Sequence, residues 1–64
     1  MESKLIIYLS GNRYWKLPSG DLHRECGPAV EYISGHKEWW LNGIEYSEQE
    51  YIKKMRLKKL EHIL

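Results

Sequence analysis

Apolar and polar positions change rhythm twice along this 64-residue chain. Leu5-Ile6-Ile7-Tyr8-Leu9 is a short continuous apolar run, the pattern of a strand. After it, Trp15 and Leu17 stand two apart, as do Trp39 and Leu41, which puts each pair on one face of a strand. From residue 47 onward the spacing becomes helical. The expected strands lie near Leu5–Leu9, Arg13–Leu17, Ala29–Ile33 and Lys37–Leu41, with short pieces at Leu22–Arg24 and Ile44–Tyr46. Pro18 and Pro28 fall at strand ends, where no central ladder hydrogen bond is lost.

The strands belong to a repeat. Ser10-Gly11-Asn12-Arg13-Tyr14-Trp15-Lys16-Leu17-Pro18 aligns with Ser34-Gly35-His36-Lys37-Glu38-Trp39-Trp40-Leu41-Asn42, then Gly20 with Gly43 after a one-residue insertion at Ser19. The period of about two dozen residues suits a small supersecondary unit. Each copy reads as a Ser-Gly turn, an alternating strand and a second turn, and Asn42-Gly43 is a strong hairpin signal.

Ser47-Glu48-Gln49-Glu50 is a capping box, with Tyr46 and Tyr51 placed for a hydrophobic staple. Acidic residues in the first turn and basic ones after it suit the helix dipole. A helix from about Glu48 to His62 is expected, burying Ile52, Met55, Leu60 and Ile63, with Leu57 and Leu64 widening the stripe and Arg56 inside it. The fold class is therefore α+β: a small antiparallel sheet of four or five strands from two repeated hairpin units, with one C-terminal amphipathic helix. Residues 1–64 form a single domain, 1–46 the sheet and 47–64 the helix.

Composition narrows the function. Chains below about 70–80 residues hold only a modest core, usually reinforced by disulfides, metal or association. Cys26 is the only cysteine, so no internal disulfide forms, and a reducing, cytoplasmic setting is expected. No run approaches the roughly 20 apolar residues of a membrane span. A homodimer through the wide helix stripe is one expected source of added stability.

Parity places Tyr14, Lys16, Glu38 and Trp40 opposite the Trp15/Trp39 face, which is expected to be core together with Leu17 and Leu41. If Ser34-Gly35 is a two-residue loop, Glu31 and Ile33 join the Trp40 face, and Val30 and Tyr32 point inward. Aromatic rings at a patch centre are common interface anchors. The partner-binding set is thus Trp40 and Tyr14 as anchors with Lys16, Glu31 and Glu38 around them; simple burial of Trp40 under the helix is the competing reading.

A rival surface lies on the helix, where Lys53, Lys54, Arg56, Lys58 and Lys59 could neutralise phosphates of RNA or DNA. Glu48, Glu50 and Glu61 dilute that field, and the formal net charge is only +1. His23 and Cys26 could pair as a nucleophile, but neither a Gly-rich nucleophile turn nor an oxyanion hole is evident. A structural zinc site needs about four ligands, and His23-x-x-Cys26 offers two. No catalytic residue, metal or cofactor is assigned.

The segment Leu22-His23-Arg24-Glu25-Cys26-Gly27-Pro28-Ala29-Val30-Glu31-Tyr32, then Gly35-x-Lys37-x-Trp39-Trp40-Leu41-Asn42-Gly43, resembles hairpin units of bacteriophage and giant-virus proteins that look like MORN repeats. The likeness covers about residues 10–46. It implies a β-hairpin interaction scaffold without shared catalytic residues, in a small viral protein acting in the host cytoplasm. Short phage proteins of this kind often bind and block a host or anti-phage defence protein. Cys26 departs from the acidic residue usual at its place, and this chain has barely two copies.

Overall fold

The computed structural model describes the backbone of residues 3–63, and side chains through residue 58. Five strands and a helix follow one another: β1 (Lys4–Ile7), β2 (Arg13–Lys16), β3 (Val30–Glu31), β4 (Lys37–Leu41), β5 (Ile44–Tyr46) and α1 (Glu48–Ile63). The strands form one antiparallel meander in sequence order, so the α+β class and the C-terminal helix stand as expected.

The repeat is visible in the turns. Tyr8 N–H donates to the Asn12 carbonyl at 3.0 Å and Gly11 N–H to the Tyr8 carbonyl at 2.8 Å. Tyr32, Gly35 and His36 repeat this pattern at 2.9 Å for both bonds. Each hairpin therefore has a three-residue loop with glycine at its last position, at φ 93° in Gly11 and 96° in Gly35. The turns also touch: Asn12 Oδ1 accepts the Ile33 N–H at 3.1 Å. The second turns of the two copies differ. Ser19 makes another three-residue loop, closed by Leu17 N–H to the Asp21 carbonyl at 2.9 Å. Asn42 and Gly43, both at positive φ, form the two-residue type of turn instead.

The loop length at Ser34-Gly35 corrects the expected facing of β3. With three loop residues rather than two, Val30 pairs with Tyr14 and Glu38, and Glu31 with Arg13 and Lys37. Directly opposed residues share a face, and a slip of one residue exchanges faces. Glu31 accordingly lies on the Trp15/Trp39 face and Val30 on the Tyr14/Trp40 face. Tyr32 joins Val30, and its ring stands 6.3 Å from that of Tyr14.

β3 is short because the chain leaves the sheet beside it. Trp15 N–H donates to the Ala29 carbonyl, and Trp15 in turn accepts from His23 N–H, so residues 21–24 take over the pairing with β2. On the other side Arg24 N–H reaches the Trp40 carbonyl and Gly43 N–H the Leu22 carbonyl. Residues 25–28 between these two stretches project as a loop towards the helix.

The helix begins at the expected cap. Ser47 N–H donates to Glu50 Oε1 at 3.1 Å, and Glu50 N–H to Ser47 Oγ at 3.2 Å. The Ser47 backbone amide, and secondarily its hydroxyl, hold the Glu50 carboxyl below its usual range. The helix is rotated from the expected stripe. Among the described residues of the helix Tyr51 is the buried one, and Met55, one turn on, is half-buried. Ile52 and Leu57 stay 46 % and 55 % exposed, while the side chains of Leu60 and Ile63 lie outside the described residues, as does Leu64. The cause is a polar tether. Tyr51 Oη donates to the Arg24 carbonyl at 2.7 Å and accepts the Gly27 N–H at 3.2 Å, which pins the helix to the projecting loop.

Among the described residues the buried core is small: Leu17, Ala29, Val30 and Tyr51, with His23 among them. Trp15, Trp39 and Leu41, expected in the core with Leu17, are half-buried. They share one sheet face, and the helix packs at its β4–β5 end.

Candidate functional site

Two arrangements of side chains occupy the two faces of the sheet. On the helix side, the projecting loop gathers most of the polar contacts. Arg24 stacks its guanidinium 3.7 Å from the Trp15 ring centroid. Its Nη1 donates to the Pro28 carbonyl at 3.1 Å and to Glu31 Oε2 at 3.4 Å, and Arg13 meets the other Glu31 oxygen at 3.9 Å. Glu31 is thus enclosed by two arginines on this face and is not part of the surface around Trp40.

His23 is buried and uses both ring nitrogens. Nδ1 accepts the Asn42 N–H at 3.0 Å, which leaves the proton on Nε2, directed to Glu25 Oε2 at 3.1 Å. Glu25 Oε1 also takes Lys58 Nζ at 2.8 Å. Lys58 first, and His23 after it, hold the Glu25 carboxyl at about 2, well below the usual carboxylate range. With its ring so committed, His23 is a structural brace between the loop and the Asn42-Gly43 turn. Cys26 is exposed and outside that set of bonds. Burial raises the Tyr51 hydroxyl above its ordinary value. Among the described residues no three His, Cys, Asp or Glu side chains converge as metal ligands.

The opposite face carries a band of aromatic rings. Tyr8 and Tyr14 meet edge to face at 4.7 Å, Tyr14 and Tyr32 at 6.3 Å, and Tyr32 and His36 lie at 5.5 Å. Lys16 Nζ stands 5.8 Å from the Tyr8 ring centre and 5.9 Å from that of Tyr14, and donates to Tyr8 Oη at 3.2 Å. Glu38 is the polar hub. Its Oε1 accepts the Trp40 indole N–H at 3.1 Å, and its Oε2 accepts the Tyr32 hydroxyl at 3.2 Å. Partial burial, then the Glu38 charge, raises the Tyr32 hydroxyl above its ordinary value.

Of the five residues expected at a partner surface, the sheet gathers Tyr14, Lys16, Glu38 and Trp40 and removes Glu31. No known protein family, curated protein or solved structure matches the chain. Three members of the band, Tyr8, Tyr32 and His36, were not among the expected site residues. The signal for the two tyrosines is an extension of the repeat: Tyr8-Leu9-Ser10-Gly11 lies over Tyr32-Ile33-Ser34-Gly35, two residues upstream of the aligned Ser-Gly pairs.

The basic helix residues do not form one surface. Lys58 is committed to Glu25, and Lys54 Nζ sits 5.2 Å from the Tyr46 ring centre. Both lie on the sheet-facing side with Tyr51 and Met55. Lys53 and Arg56 are exposed, and the Lys59 side chain lies outside the described residues. Arg56 borders a groove of about 530 Å³ lined also by Trp39, Ile52, Met55 and the loop at Cys26. Among the described residues no helix is long and apolar enough to cross a membrane.

Proposed function

We propose that this chain is a non-enzymatic protein-binding module that uses the open, aromatic face of its sheet. The carrying observation is the band itself: Trp40, Tyr14 and their neighbours form a continuous strip on the face away from the helix, with Glu38 and Lys16 supplying polar atoms. Aromatic rings with a polar edge give large contact area at low conformational cost, which is how interface anchors work. The Glu38 carboxylate fixes the Trp40 indole before contact, so less side-chain freedom is lost on binding. In line with the resemblance to viral hairpin units, the partner we propose is a host or anti-phage defence protein in the bacterial cytoplasm, bound stoichiometrically and inhibited. The engagement of both His23 nitrogens argues against a Cys-His nucleophile. Nucleic-acid binding by the helix is the weaker reading, because Lys54 and Lys58 already have intramolecular partners.

The test is affinity capture from nuclease-treated host lysate, followed by binding measurements with the captured protein. Trp40→Ala is expected to keep the fold, because Trp40 is outside the buried core, and to weaken binding by about 2 kcal/mol or more, roughly 30-fold. Unchanged affinity in a folded Trp40→Ala protein overturns the assignment of the surface. Capture that disappears with nuclease overturns the protein-partner reading.

A further inference from the structure

The two outer edges of the sheet are built differently. β5, the far edge, is three residues long, contains Glu45, and runs directly into the helix cap. β1, the near edge, has no such protection. Among the described residues nothing pairs with its outer side, and it contains no proline. Its pairing with β2 is regular through all four residues, so no bulge turns the edge away. Leu5, Ile6, Ile7, Tyr8 and Leu9 form an unbroken apolar run, each more than a third exposed, with Ile7 at 60 %. Natural sheets usually blunt such an edge with charge, proline or a bulge. Here the one charge in the strand is Lys4.

The backbone direction along this edge is fixed. Tyr8 N–H bonds inward to Asn12, so the alternation of an antiparallel ladder turns Tyr8, Ile6 and Lys4 towards β2. Leu5 and Ile7 therefore present their N–H and C=O groups outward. The chain turns away after Tyr8, at the Leu9-Ser10-Gly11 loop, so the extended stretch available to a new neighbour is residues 4–8, with Ile6 at its centre.

We infer that β1 pairs with β1 of a second copy of this chain, antiparallel about a two-fold axis at Ile6, to make one continuous ten-stranded sheet. The edge fits itself in this register. Leu5 of each copy lies opposite Ile7 of the other as a hydrogen-bonded pair, giving four new backbone bonds that satisfy the outward groups. Ile6 faces Ile6 across the axis. Each Lys4 falls opposite a Tyr8 of the other copy, whose ring already carries its own Lys16 ammonium at 5.8 Å, so the register rests on the Leu5/Ile7 and Ile6 pairs and not on this outer one. A register centred on Leu5 would instead set Lys4 against Ile6; one centred on Ile7 would need Leu9 and Ser10, which belong to the turn. An isologous contact of this kind closes after two copies. It differs from the helix-mediated dimer expected from the sequence, and it does not depend on the partner-binding reading. Because the axis is perpendicular to the sheet, both aromatic bands emerge on the same side, next to each other.

Sedimentation equilibrium of the full chain across a concentration series tests this, with circular dichroism as the fold check. The wild-type protein is expected to reach twice the monomer mass. Ile7→Pro removes an outward N–H without touching a bond to β2, and is expected to weaken self-association at least about tenfold while the fold persists. Charge at position 6 reads the register: Ile6→Lys and Ile6→Glu proteins are each expected to stay monomeric, and a mixture of the two to give the mixed dimer. A folded wild-type monomer at high concentration overturns the inference. So does a dimer that survives Ile7→Pro, which would place the contact on the helix groove, or a Lys/Glu mixture that does not associate.

Discussion

Trp15 and Trp39 occupy the same place in the two copies of the repeat, on the same face of the sheet, yet they are covered by different means. Trp15 lies under the Arg24 guanidinium, which comes from the segment connecting the two copies. Trp39 has no later copy beyond it; its ring borders a groove formed by the 25–27 loop and the first turns of the helix. The helix therefore does for the last unit what the arginine of the connecting segment does for the first. Repeat arrays need an atypical terminal element for this reason, since each unit leaves a face that its successor would bury. In a chain this short the two covers are also joined, because the Tyr51 hydroxyl bonds to the backbone of Arg24 and Gly27.

The largest expected effect comes from removing that joint. Tyr51→Ala deletes a buried aromatic ring, a loss of about 3–5 kcal/mol for comparable residues, against a net stability of only a few kcal/mol for a chain this small. The cooperative thermal transition seen by circular dichroism should be nearly abolished. Next is Arg24→Ala, which uncovers Trp15, breaks the contacts to Pro28 and Glu31, and should cost about 2–3 kcal/mol of unfolding free energy measured by denaturant titration. Tryptophan emission should shift to the red. Lysine at 24 should not restore the wild-type value, because a point charge lacks the planar stack. If emission stays unshifted in Arg24→Ala, the difference between the two indoles is not the one described.

The smallest effect separates the helix side of the comparison by pH. Glu25 is held at about 2 against an ordinary 4.5, so its folded form is the more acidic. Its contribution is complete above about 4.5 and is lost as pH falls from there towards 2, when Lys58 and His23 lose their carboxylate. Solvent reaches this pair, so the shift in melting temperature should be modest. The Glu25→Gln protein should show a flatter profile over that interval; an unchanged profile removes the clamp as a contributor to stability.

Much of the fold could be read in the sequence because its signals are local. The Asn42-Gly43 turn, the Ser47–Glu50 cap and the strand alternation each depend on a few adjacent residues, and all are present. What could not be read depends on one residue of loop length or on distant partners. Ser34-Gly35 fits a two- or a three-residue loop, and that choice alone moved Glu31 off the proposed surface and turned the buried Val30 to that side of the sheet. The helix rotation followed a hydroxyl bond to residues 24 and 27, which outweighs a weakly amphipathic apolar pattern. Lys54 and Lys58 look like solvated surface charges until Tyr46 and Glu25 are brought beside them. The tyrosine band was within reach: aligning the copies two residues earlier pairs Tyr8 with Tyr32.

The bond from Asn12 to the Ile33 amide carries a rule for elongation. One unit's turn offers a side-chain acceptor to the next unit's turn, and Gly11 leaves the room for it: a Cβ there would come within 2.8 Å of Ile33 Cγ2. The corresponding positions in the second unit are His36 and Gly35, and around Gly35 the space is open. A third hairpin spliced in at that point would find its berth already cleared and only the acceptor for its docking N–H missing, so extending this scaffold asks for asparagine at 36 before anything else.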